Sequence, residues 1–85
     1  ADSRMSKKPA ALPWPNLQAL IDDHGSFVVG YVSPIPCAAI ASDQHNMLAA
    51  LVRRRGEALT ELLGRLEAAV AKAYDEQIYT DEING

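Results

Sequence analysis

The chain has 85 residues, 48% of them apolar, and a net charge of −3. That is one small domain, expected to bury about 60% of its unfolded surface, and it is too apolar for a disordered chain. A single cysteine, Cys37, excludes an internal disulfide framework and fits a reducing compartment, and no apolar run reaches the roughly 20 residues of a membrane span.

Residues 1–13 are charged, small and without periodicity, and read as a flexible leader. Ala1-Asp2-Ser3-Arg4 stands ahead of Met5 and reads as an expression remnant. Lys7-Lys8 opens no legible signal peptide, because Pro9, Pro13 and Pro15 interrupt the apolar stretch that one would need, so the cytoplasm is the expected location. Residues 14–85 read as a single α+β domain.

Pro15 suits the first helical position and Gly25 the residue just past a helix end. Between them Leu17, Leu20 and Ile21 share a face, which predicts a short helix from about Pro15 to His24. Asp22 and Asp23 lie at its C-terminal end, where the helix dipole disfavours negative charge, so this helix must rely on docking. Trp14, just ahead of it, is the expected anchor, since one tryptophan buries about 200 Å².

Three apolar runs come next. Ser26–Ser33 is rich in β-branched and aromatic residues and is closed by Pro34 and Pro36, which enforce a turn. Cys37–Ala41 is shorter and ends in the polar cluster Ser42-Asp43-Gln44-His45-Asn46. Met47–Arg54 fits either a helix capped by Ser42 or Asp43 or a third strand. The strand is preferred, because three short runs joined by turns make a regular antiparallel meander, while Ala49 and Ala50 keep the helix alive.

From Glu57 to Gln77 the apolar residues Leu59, Leu62, Leu63, Leu66, Val70 and Ala73 recur at helical spacing, with Glu61, Arg65, Lys72 and Glu76 opposite. This predicts a long amphipathic helix packed on the sheet, with Leu63 and Leu66 fully buried and Glu67 energetically silent. The tail Gln77–Gly85 alternates weakly and reads as an added edge strand, a helix extension or a frayed end.

The strands pose a question. Phe27, Val29 and Tyr31 oppose Val28 and Val32, and Met47, Ala49 and Leu51 oppose Leu48, Ala50 and Val52, so both faces of the sheet are apolar. One long helix covers one face. Either the N-terminal helix with Trp14 covers the other, or another protein chain does, with Trp14 or Tyr31 as the contact anchor. A homodimer is the expected solution.

No constellation of reactive groups stands out. Cys37, Asp43 and His45 share a predicted hairpin, but a nucleophile needs its base in reach and an oxyanion donor beside it, and a cysteine in an apolar run is a small core residue. His24, His45 and Cys37 lack the paired spacing of a zinc site, and Gly56 and Gly64 are too isolated for a phosphate loop. The expectation is therefore no catalytic residue, no metal and no cofactor. Arg53-Arg54-Arg55 is the densest basic cluster and a candidate anion or partner contact, against the plainer reading of a solvated strand end. Beyond residue 55, Arg65 and Lys72 face seven acidic residues, which disfavours general binding to a phosphate backbone.

The junction Gly56-Glu57-Ala58-Leu59-Thr60-Glu61-Leu62-Leu63 resembles the strand-to-helix turn of HicB-type antitoxins. In that family a glycine, an acidic residue and a Thr or Ser introduce a helix beginning L-E-E-A-L. Gly56, Glu57, Leu59, Glu61 and Leu63 match; Ala58 replaces the capping hydroxyl, and Thr60 and Leu62 depart. The resemblance implies a small α+β framework that grips a protein partner. The ending Tyr79-Thr80-Asp81-Glu82-Ile83-Asn84 resembles that of small proteins from proteobacterial genomic islands. The expected function is a non-enzymatic, self-associating interaction or regulatory module. The alternative is a nucleic-acid-associated regulator that presents Arg53–Arg55 from a dimer.

Overall fold

The computed structural model describes residues 14–84; the leader over residues 1–13 lies outside the described residues. The elements run α1 (Pro15–Asp22), β1 (Ser26–Val32), β2 (Ile35–Ser42), β3 (Met47–Val52), α2 (Leu59–Glu76) and β4 (Thr80–Asp81). The strands form one sheet in the order β1-β2-β3-β4. The first three are antiparallel, as a meander requires, and Met47–Val52 is a strand rather than a helix. The expected three-stranded sheet gains a fourth member, because β4 pairs parallel to β3 through Ala49↔Thr80 and Ala50↔Asp81. A parallel neighbour needs a crossover, and α2 supplies it, so β3, α2 and β4 form a βαβ unit.

Two register shifts re-aim side chains. Between Ala41↔Ala49 and Ser42↔Met47 the third strand carries one extra residue, Leu48. A bulge breaks the alternation, and Leu48 joins Ala49 and Leu51 in the helix-side core instead of opposing them. Between Gly30↔Ala38 and Val32↔Ile35 the extra residue belongs to β2, at Pro36 and Cys37. A proline is tolerated there because a bulge leaves a residue out of the ladder.

Both helices lie on the same face of the sheet. Leu17 and Leu20 of α1 and Leu62, Leu66, Ala69, Val70 and Ala73 of α2 share one buried cluster with Ala39, Ala41, Ala49 and Leu51, and Trp14, Phe27, Val29 and Cys37 pack against it. The alternative in which α1 and Trp14 cover the second face is therefore corrected. The stripe on α2 also differs from the one expected. Leu62 takes the fully buried position, Leu63 is half-buried, and Leu59 at the first helical turn is 58% exposed. The helix starts two residues later than expected, and its buried stripe runs through Leu62, Leu66, Ala69, Val70 and Ala73.

Each helix end is satisfied in its own way. Pro15 has no N–H to satisfy, and the next two donors of α1 reach across to α2: Asn16 N–H to Glu67 Oε2 at 2.7 Å and Leu17 N–H to Glu67 Oε1 at 2.9 Å. The Asn16 side-chain amide also donates to Glu67. Glu67 is the missing N-cap of another helix, which overturns its expected silence. At the other end of α1, His24 rather than Gly25 takes the left-handed conformation, with φ 67°. Gly25 is needed for space instead, since a Cβ there would collide with Leu20 Cδ1 and sit 2.9 Å from the Ser42 carbonyl oxygen. At the start of α2, Glu61 Oε1 accepts the Ala58 N–H at 2.7 Å; alanine has no acceptor to return the bond. Gln77, at φ 57°, ends that helix.

Candidate functional site

Three surfaces hold the residues singled out by sequence: the arginine turn after β3, the face of the sheet turned away from both helices, and the outer edge of β1. The turn is built by Glu57. This residue is 8% exposed, and its carboxylate accepts the Arg54 N–H at 2.9 Å while a two-pronged contact ties it to Arg65. Arg65 Nε meets Glu57 Oε2 at 2.7 Å and Nη2 meets Oε1 at 2.9 Å. The same guanidinium reaches the Val52 carbonyl at 2.9 Å and Glu82 Oε2 at 3.0 Å. Hydrogen bonds from Arg65, reinforced by the Arg54 N–H, hold the Glu57 carboxyl down at about 2, and its contact with Glu57 raises Arg65 in turn. Helical spacing alone puts Arg65 on the solvated side of α2. In the fold it is the node that joins α2, the turn and the tail.

The arginine run is exposed, as a solvated strand end predicts, but it lies beyond β3 rather than on it. Arg53 N–H still bonds the Cys37 carbonyl at 3.0 Å, and Arg53 Nε donates to the Glu57 carbonyl at 2.7 Å. The side chain that neutralises Glu57 is therefore Arg65 and not its neighbours in sequence. Arg53, Arg54 and Arg55 line a shallow groove with Pro36 and Val52. Glu57 and Glu61 border the next groove on the Arg54–Arg55 side, so positive and negative groups alternate around the corner.

The second face of the sheet is carried by Val28, Val32, Ile40 and Val52 around Ala38 and Ala50, by strand alternation. Among the described residues no helix lies on it. Val28 is 56% exposed, and Ile40, Val32 and Val52 are half-buried. Of the two expected aromatic anchors, Trp14 is spent on the helix-side core and Tyr31 is free, 71% exposed near the end of β1.

Cys37, Asp43 and His45 do not meet. Cys37 packs against the core near the start of β2, while Asp43 lies beyond its far end and caps the turn, accepting the His45 N–H at 2.7 Å and the Asn46 N–H at 2.6 Å. Those two backbone donors lower the Asp43 carboxyl below its ordinary range. Among the described residues no group of three or more His, Cys, Asp or Glu side chains is placed to hold a metal ion, and no helix is long and apolar enough to cross a membrane. Comparison with family models, with curated proteins and with solved structures finds no match.

Proposed function

We propose that this protein is a small, non-enzymatic interaction module of the cytoplasm, which associates with another protein chain through the open face of its sheet. The single observation that carries this reading is the face itself. Val28, exposed, and the half-buried Ile40, Val32 and Val52 share this face around the buried Ala38 and Ala50, while both helices are committed to the other side. Exposed apolar patches mark interfaces, and the commonest closed solution is a two-fold dimer in which one patch complements itself. Tyr31, 71% exposed near the end of β1, alternates with Val28 and Val32 and so lies off this face, which is carried by aliphatic side chains. The HicB-like turn at Gly56-Glu57 agrees with such a role, since that framework grips a protein partner.

Ile40→Glu and Val28→Lys test the reading, because both place a charge on the open face and touch none of the helix-side core. Each is expected to halve the assembled mass in light scattering, with the melting temperature within a few degrees of wild type. Association unchanged in both variants contradicts it.

A second reading, a nucleic-acid-associated regulator, is favoured by one observation: Arg53, Arg54 and Arg55 are all exposed in one turn and share a groove. A dimer doubles that patch. Binding to random duplex that falls steeply with salt supports this second reading, and its absence at low salt removes it.

A further inference from the structure

We propose that the outer edge of β1 is a second, separate self-association surface, on which β1 of another copy pairs antiparallel. The two edges of the sheet are treated differently by the sequence. On the β3 side, β4 pairs with Ala49 and Ala50, the Glu82 N–H bonds the Ala50 carbonyl at 2.7 Å, and the Glu82 carboxylate takes the Val52 N–H at 2.9 Å. What remains outermost there is a strand of two residues, carrying Asp81 and leading into Glu82. Short length and like charge are both devices that keep a sheet edge from pairing.

The β1 edge has neither device. It runs seven residues, Ser26–Val32, without a charge or a proline. All of its ladder partners are on β2, and among the described residues no strand lies on its outer side. Its irregularities, Gly30 at φ 146° and the bulge opposite Tyr31, are confined to its C-terminal end and leave Ser26–Val29 in unbroken register with Ser42–Ala39. A run of regular, uncharged edge of this kind is a template for an added strand.

The chemistry of the occupant is set by the chain itself. A matching strand must be extended, uncharged and free on one side, and a second copy offers one. Head-to-tail pairing of β1 with the β4 edge would meet Asp81 and Glu82 and would propagate without end. Pairing of β1 with β1 uses the same patch twice and closes on a two-fold axis. That axis stands perpendicular to the sheet, so both copies keep their helices on one side and the two open faces merge into one larger apolar surface. The edge contact therefore does not depend on the face contact. Where both form, the closed assembly has four chains.

Residue-resolved hydrogen exchange on the full 85-residue chain, in dilute and concentrated solution, separates the two surfaces without any substitution. Within Ser26–Val29, every second backbone amide points away from β2. Those amides are expected to slow by about tenfold or more as the chain assembles, while their neighbours bonded to β2 change little. If sedimentation shows assembly but the outward amides exchange as fast as in dilute solution, the edge proposal is overturned and the face remains the contact. A chain that stays monomeric at every concentration overturns both.

Discussion

Glu67 shows how far a single carboxylate can act from its own place in the sequence. It lies in α2, about 50 positions from the two N–H groups it accepts in α1, and it replaces the cap that Trp14 cannot supply. A carboxylate at a helix N-terminus also complements the dipole. Glu67→Ala is expected to cost about 1 kcal/mol, in the usual range for a lost N-cap, and to lower the melting temperature by about 4–8 °C in a domain of this size. Glu67→Gln, which keeps an acceptor oxygen, is expected to recover part of that loss. Denaturant titration of the two variants checks the order. Glu57 sets the acid limit. Its carboxyl titrates at about 2 in the folded chain against an ordinary value of 4.5. A group whose folded value is depressed stabilises the fold fully above its unfolded value and loses that contribution as pH falls toward the folded one. Stability is therefore expected to decline between about pH 4.5 and 2 through this site, and Glu57→Gln is expected to flatten that decline in acid denaturation curves.

Among the elements, α2 carries the largest share of the buried cluster, and its stripe can be tested position by position. Leu62 and Leu66 are fully buried, whereas Leu63 is half-buried. Leu62→Ala and Leu66→Ala should each cost about 2–5 kcal/mol, and Leu63→Ala clearly less, as read from unfolding midpoints. Periodicity in the sequence places this helix and the three antiparallel strands approximately, because run length, spacing and the proline at 34 are local signals, whereas Pro36, expected in the turn, lies inside β2. It leaves open, as for the tail, or misses what depends on tertiary geometry. The parallel strand β4 has two residues and is held largely by the backbone and carboxylate of Glu82. The inward turn of Leu48 depends on a bulge, which leaves no pattern in the residues around it. Arg65 looks like one more charge on a solvated face until the tail brings Glu82 beside it. Of the candidate contact residues, the arginine run and Tyr31 are as exposed as their chemistry suggests. Trp14, by contrast, is drawn into the core by the helix it precedes.

For the whole molecule, the governing fact is that two helices share one side of a sheet that is apolar on both. The covered side explains the stability of a small domain: aromatic and leucine side chains from α1, α2 and three strands meet in one cluster. The other side has no such cover among the described residues, and a chain that keeps Val28 at 56% and Tyr31 at 71% exposure alongside a bare strand edge is built to meet another surface. Sedimentation equilibrium of the full chain across micromolar concentrations tests this most directly. The expected result is a mass of two or four chains that falls toward 9.2 kDa on dilution. A single species of 9.2 kDa at every concentration would contradict it.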